Sequence, residues 1–301
     1  MFHYSNIPIG AKPLRSKGIM RVIFHGDDFG LTSGINKSIH NCFQHGLLTS
    51  TSLLVCGEAA EEAIALAKEN PDLDVGIHLA LCDESPVLPP EHLPSIIHRG
   101  FTFPTREQIL RAVLSRKINY REVEAEWDAQ IRKALNAGIA ISHMDGHQFI
   151  HLFPGLFPLC VKVAVRYQIP YIRASIFDLI TLDIGFKRPF QWISLRLWAK
   201  FFAIRRLPSH ISSLPSIGFL RAGGRMDRDS ILKALDRLKR KRSCSVVEVT
   251  LHPGTGDRHT SHKYKHWRYN WKNDEDLLLD KSLKEALDLR SVALTSFGEE
   301  I

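Results

Sequence analysis

Three histidines and one aspartate, His143, Asp145, His147 and His151, fall within nine consecutive residues. Such a density of imidazole and carboxylate suits a divalent metal, for which both are common ligands. A spacing of four places His147 and His151 on one side of a helical turn, with His143 and Asp145 on the strand or turn before it. A second polar group, Asp27-Asp28, stands between Gly26 and Phe29-Gly30. Adjacent carboxylates repel each other unless a cation or hydrogen-bond donors lie between them. His78 interrupts the apolar run Val75-Gly76-Ile77-His78-Leu79-Ala80-Leu81, and His252 precedes Pro253-Gly254. One imidazole of the cluster, His78 and a carboxylate would form a two-His, one-carboxylate site with positions open to water and substrate. His252 is a candidate general acid, since an imidazole near neutral pKa can protonate a leaving amine. Each group also has a plainer reading: an acidic turn or cap for Asp27-Asp28, a structural buried imidazole for His78, a turn for His252-Pro253-Gly254.

These groups can meet only if the fold brings their segments together. Apolar, β-rich runs predict strands at 21–24, 50–56, 74–81, 140–144, 171–174, 217–221, 245–251 and 292–297. Between them, helical periodicity follows Ser33 up to a stop at Gly46 and recurs at 59–68, 156–168, 228–240 and 275–288. Thr105 with Gln108 forms a capping box for a helix over 109–114, and a longer helix carries Val123, Trp127, Ile131 and Leu135 before Gly138. Seven or eight strands alternating with helices predict an α/β protein, a single distorted (β/α) barrel over 21–301 with an N-terminal tail at 1–20. An open doubly wound sheet is the alternative, but no GxGxxG follows the first strand. In a parallel βα fold reactive groups collect at the C-terminal ends of strands: Asp27-Asp28 closes the first, His78 lies in the apolar third, the 143–151 cluster follows the fourth and His252 ends the seventh.

The chain has 301 residues, 44% hydrophobic and 24% charged, the composition of a globular protein. That excludes collagen, coiled coil, disorder and disulfide scaffolds. No apolar run approaches the roughly 18 to 20 residues of a membrane span, and residues 1–20 lack the apolar core of a signal peptide. A cytoplasmic protein is expected. Five scattered cysteines, Cys42, Cys56, Cys82, Cys160 and Cys244, read as reduced, buried thiols. Lys plus Arg number 40 against 32 Asp plus Glu, a net charge of +8. Residues 185–226 hold Lys187, Arg188, Arg196, Lys200, Arg205, Arg206, Arg221 and Arg225 with no acidic residue, and so carry the whole excess. In the same segment Phe190, Ile193, Leu197, Phe201 and Ile204 form one helical stripe. Either this is a helix packed on the barrel with snorkelling cations, or it is an interfacial helix on an anionic membrane.

Taken together, these segments resemble the YdjC family of carbohydrate deacetylases, also called the ChbG/HpnK family. The matching stretches are Asp27-Asp28-Phe29-Gly30-Leu31, residues 46–52, Gly76-Ile77-His78-Leu79, His143-Met144-Asp145-Gly146-His147 with His151-Leu152-Phe153-Pro154, and His252-Pro253-Gly254. The resemblance implies a distorted barrel like that of polysaccharide deacetylases. It also implies metal-dependent removal of an N-acetyl group from an amino sugar, whether in an oligosaccharide or linked to a nucleotide or lipid, with release of acetate. By the same resemblance Asp28, His78 and His147 are metal ligands, Asp27 the general base and His252 the acid. His143, Asp145 and His151 support the site, and Arg173 orients the base. The implied cofactor is one divalent ion, Mg or Zn ahead of Mn, Co or Ni. Two departures bear on substrate fit and metal preference: His25-Gly26 replaces the family's Asn-Ala, and His147-Gln148-Phe149 replaces a run of histidines. Expected partners are an N-acetylated sugar, a second copy of the chain as a homodimer, and the inner membrane face through 185–226; no nucleic acid is expected. Two other readings stay open, a metal-dependent hydrolase of another bond such as a phosphoester, and a non-catalytic protein binding anionic surfaces.

Overall fold

The computed structural model describes residues 19–97, 100–176, 207–219, 221–241 and 245–300. The tail 1–18, Cys244 and the aromatic stripe between Phe190 and Ile204 lie outside the described residues. Among the described residues nine strands appear in chain order: β1 (Met20–Phe29), β2 (Ser50–Leu53), β3 (Asp74–Leu79), β4 (His143–Gly146), β5 (Tyr171–Ile172), β6 (Ser175–Ile176), β7 (Pro215–Ile217), β8 (Val246–Leu251) and β9 (Val292–Leu294). The described helices are α1 (Ser33–His45), α2 (Ala60–Glu69), α3 (Arg106–Leu114), α4 (Tyr120–Asn136), α5 (Leu156–Arg166), α6 (Arg228–Lys241), α7 (Arg258–Lys263), α8 (Trp271–Leu278) and α9 (Lys281–Leu289).

All strand pairings are parallel, in the order β5-β4-β3-β2-β1-β8-β7-β6, with β9 alongside the start of β1. The two ends of this sheet are halves of a single run. Tyr171 and Ile172 pair with β4, while Ser175 and Ile176 pair with β7. The stretch 171–176 therefore closes the sheet into a distorted barrel, as the alternation of strands and helices predicts. A parallel sheet covered by helices buries both its faces, and β1 and β8 are buried along almost all of their length.

Local chemistry sets most boundaries. Thr105 and Gln108 form the expected capping box, and the Gly46 N–H donates to the Cys42 carbonyl at the end of α1. Thr32, rather than Ser33, caps α1 by accepting from the Ile35 N–H. The single helix expected over 275–288 is two helices, α8 and α9, because the Asp280 carboxylate caps the Ser282 N–H and begins a new helix there. The strand expected at 217–221 is Pro215–Ile217, and that expected at 140–144 starts at His143, which puts His143 and Asp145 inside the strand. Behind β3, the Trp127 and Gln130 side chains both donate to the Ala80 carbonyl, and the Ala80 N–H donates back to Gln130. This clamp fixes the strand end two residues beyond His78. Cys42, Cys56, Cys82 and Cys160 are free and buried. Among the described residues no helix is long and apolar enough to cross a membrane.

Gly76 makes room for the His143 ring, since a Cβ there would lie 2.5 Å from its atoms. Gly76→Ala is expected to cost about 1–3 kcal/mol of stability in urea denaturation, the usual cost of overpacking. Adding His143→Ala should recover part of that loss. Equal stability of Gly76→Ala and wild type would contradict this packing.

Candidate active site

β1 carries the acidic pair through a break in its own regularity. Its register with β2 shifts between Gly26 and Phe29, and Asp28 adopts a left-handed backbone (φ 70°). In an uninterrupted strand, successive side chains point to opposite faces. The bulge and the left-handed residue cancel that alternation, so that both carboxylates reach the same mouth. Aspartate is among the few residues that tolerate such a conformation.

Asp28 meets two imidazoles. Its Oδ1 lies 2.8 Å from His147 Nδ1 and 3.3 Å from His78 Nε2. Asp145, opposite His78 in the β3–β4 register, binds the other ring nitrogen, Nδ1, at 2.7 Å, and Ser52 Oγ donates to Asp145. A carboxylate behind a histidine fixes its ring and leaves Nε2 for a ligand in front. Burial alone would lower the His78 pKa, but Asp145 and Asp28 together push it up to about 10. Burial would raise Asp28, yet His147 and His78 hold it well below the usual carboxylate range.

Asp27 has different partners. Arg173 donates to both its oxygens at 2.9 Å, and His25 Nδ1 lies 2.9 Å from Oδ1. Burial opposes ionisation, but the Arg173 guanidinium, helped by His25, keeps Asp27 well below its ordinary pKa. Oδ1 is thereby saturated, while Oδ2 keeps a lone pair on the side of His252, whose Nε2 is 3.6 Å away. Arg173 also contacts Asp145 at 2.7 Å and Glu248 at 2.7 Å. Behind Asp27, His25 Nε2 lies 2.8 Å from His143 Nε2, and burial holds His143 well below the usual imidazole range. Burial likewise lowers His252, against the pull of Asp27. Its backbone N–H donates to Asp274, whose carboxyl burial pushes up to about 7.

His147 and His151 do not share a direction, contrary to their helical spacing. Gln148 and Phe149 between them are left-handed (φ 49° and 57°), and the rings diverge. His147 turns to Asp28, while His151, its pKa lowered to about 4 by burial, donates from Nε2 to the Arg173 carbonyl. All the other sequence-derived site residues, Asp27, Asp28, His78, His143, Asp145, His147, Arg173 and His252, join one buried network. Sequence reasoning passed over Glu248 and Asp274, and Ser52 entered only as the end of the matching stretch 46–52. Glu248 had a visible signal, a charged residue inside Val246-Val247-Glu248-Val249. His25 stood out only as a departure from a family pattern.

Among the described residues, four groups bring possible ligand atoms within 4.8 Å of one another: Asp28/His78/His147, His25/His143/Asp145, Asp27/His78/Asp145 and Cys82/Asp83/His147. The first fits a divalent ion. Ligands about 2.0–2.2 Å from a common ion stand roughly 3 Å apart, and Asp28 Oδ1 lies 2.8 Å from His147 Nδ1 and 3.3 Å from His78 Nε2. The buried Nε2 of His147 has no hydrogen-bond partner. The second and third groups already hold a cation, since Arg173 touches Asp145 and Asp27. Burial pushes the Cys82 thiol far up, which leaves the fourth without a thiolate.

Comparison with known proteins bears on the family and the fold. A family model described as YdjC-like protein matches residues 21–289. A carbohydrate deacetylase of Brevibacillus brevis is 35% identical over 151 residues, 50% of this chain and 58% of that protein. One from Geobacillus stearothermophilus is 36% identical over 148 residues, 49% of this chain and 57% of that one. For the carbohydrate deacetylase of Halalkalibacterium halodurans the values are 32% over 180 residues, 60% and 69%. The chain thus spans less than two thirds of the first two relatives. A solved structure from Enterococcus faecalis, of a protein named for cellobiose-phosphate cleavage, superposes with a TM-score of 0.73 over 93% of this chain and 98% of that one. At 24% identity that likeness speaks for the fold alone.

An ion entering the Asp28–His78–His147 group must displace the proton that His78 carries in the metal-free protein. Affinity for Co2+, measured by titration of stripped protein, should rise about tenfold per pH unit from pH 6 to 8, one proton being released per ion. An affinity independent of pH would contradict this.

Proposed function

The chain belongs to the YdjC-like protein family, and on that premise we propose that it hydrolyses the N-acetyl group of an amino sugar with the help of one divalent ion, releasing acetate. The observation that carries this reading is the division of roles between adjacent carboxylates: Asp28 faces two imidazoles, while Asp27 faces Arg173 and His252. The names of the relatives, carbohydrate deacetylases, support the acetylated sugar as substrate class. In this reading residues 21–301 form one catalytic domain.

Asp28, His78 and His147 would hold the ion, whose contribution when bound is to polarise the acetamide carbonyl and acidify a water. Zn suits a set of two imidazoles and one carboxylate with open positions, whereas Mg favours oxygen ligands throughout. Arg173 keeps Asp27 ionised and fixed, so that Oδ2 accepts the proton of the attacking water. Addition to the carbonyl carbon forms the C–O bond first; the C–N bond then breaks as the amine nitrogen takes from His252 Nε2 the proton that Asp27 has relayed to it. Asp27 Oδ2 and His252 Nε2 stand 3.6 Å apart, close enough for one bridging water to relay the proton to the imidazole before the amine departs, which resets both groups at the end of the turnover. His25, His143 and Glu248 hold the Asp27–Arg173 pair from behind. Low basicity of Asp27 is offset by acidification of the water, while its ionised state is present throughout the neutral range.

Acetate release from free and lipid-linked N-acetylated sugars tests the reading, with phosphate release from phosphoesters as the contrasting assay. Asp27→Asn should bind metal like wild type and lose about 100- to 10,000-fold in kcat, the contribution typical of a general base. His78→Ala should lose both metal and turnover. Full activity of Asp27→Asn on a confirmed substrate would contradict the assignment of the base.

A further inference from the structure

We propose that Trp267 and Tyr269 recognise the pyranose ring of the substrate and set the specificity of the site for cyclic N-acetyl sugars; the inference rests on the deacetylase reading above. Both stand on the short stretch between α7 and α8, above the buried polar network. The Trp267 ring packs on His147 at 5.2 Å and the Tyr269 ring on His252 at 5.2 Å. Hence one aromatic face borders a group that would hold the ion and the other borders the group that would protonate the amine.

The direction of the scissile bond then locates the sugar. The acetamide oxygen belongs on the side of Asp28, His78 and His147, and the nitrogen on the side of His252. The sugar is attached through that nitrogen, so its ring lies past His252 against Tyr269, and Trp267, 5.7 Å from Tyr269, continues the same wall toward His147. A pyranose presents C–H groups on its faces and hydroxyls around its edge, which matches an aromatic wall with a polar tip.

The wall is held in place from below. Tyr264 is buried, donates to Glu84 at 2.8 Å and packs on Trp267 at 4.5 Å; Trp271, also buried, packs on both Trp267 and Tyr269. Gly223 backs the Tyr269 ring so closely that a Cβ would sit 2.1 Å from it. Arg268, between the two aromatics, is left-handed (φ 56°), and the rings it separates are 5.7 Å apart. Trp267 and Tyr269 themselves are only half-buried. The Trp267 indole N–H is buried without a hydrogen-bond partner. A native protein seldom leaves such a donor unpaired, because each costs folding free energy; a substrate hydroxyl or ring oxygen would satisfy it.

The test compares wild type, Trp267→Phe, Trp267→Ala and Tyr269→Leu for acetate release from N-acetylglucosamine and its short oligomers, with Co2+ affinity and thermal midpoint measured on each. Trp267→Ala and Tyr269→Leu should raise KM about tenfold or more, leave kcat within about threefold and leave metal affinity unchanged. Trp267→Phe keeps a ring, loses the N–H and should raise KM about threefold. It should also abolish the tryptophan fluorescence change that N-acetylglucosamine causes in wild type. An unchanged KM in folded Trp267→Ala overturns the proposal, as does a rise in KM that tracks a loss of metal affinity, which would reduce Trp267 to a support for His147. If wild type releases acetate from no sugar, the deacetylase reading falls and this inference with it. If wild type is active while the variants match it, only this inference falls.

Discussion

Asp27, Asp28, Asp145 and Glu248 are enclosed at one end of the barrel around a single guanidinium, that of Arg173, the one buried Lys or Arg among the described residues. Buried charge costs several kcal/mol per group unless it is paired, so this end of the fold is stable only as far as its charges are matched. Arg173 matches three carboxylates at once and leaves Asp28 to the imidazoles of His78 and His147. In the metal-free protein the raised pKa of His78 makes that ring the missing cation. A divalent ion at the same place supplies the charge directly and frees the imidazole to act as a neutral ligand. Arg173 also sits in the gap between β5 and β6, where the sheet closes. Its N–H donates to Met144 and its carbonyl accepts from His151, so closure of the barrel and neutralisation of its interior depend on the same residue.

A second constraint acts on β1. Two neighbouring carboxylates in a regular strand would face opposite sides of the sheet, one of them into the hydrophobic layer beneath the helices. The bulge at 27–28 turns both into the mouth, and their separate partners then give chemically different groups from identical side chains. Asp28, between two imidazoles, is suited to hold a cation. Asp27, with one oxygen saturated and the other facing His252, is suited to exchange a proton.

Much of this was legible in the sequence, for a physical reason. Polar side chains that end or interrupt apolar strand-forming runs have to be buried near a sheet end, and Asp27, Asp28, His78 and His252 all announce themselves in that way. Glu248 carries the same signal and was passed over because nothing nearby in sequence reacts. Arg173 entered only through family resemblance, since a lone Arg at the end of a short strand run has many ordinary explanations. Helical periodicity misled at His147 and His151, where left-handed Gln148 and Phe149 reverse the chain, and at Asp280, where a local cap competes successfully with the continuing apolar pattern. The barrel itself followed from the alternation of elements. Its closure through the split run 171–176 did not, because it depends on pairing between residues distant in sequence.

The central claim is that the charge missing from the interior is a metal ion at Asp28, His78 and His147. Anomalous diffraction from crystals of the full chain grown with Mn2+ tests it most directly. The account predicts one strong peak about 2.0–2.3 Å from an Asp28 oxygen, His78 Nε2 and a ring nitrogen of His147, with Arg173 still on Asp27. A peak placed instead among His25, His143 and Asp145, or no peak in crystals soaked at saturating Mn2+, would contradict it.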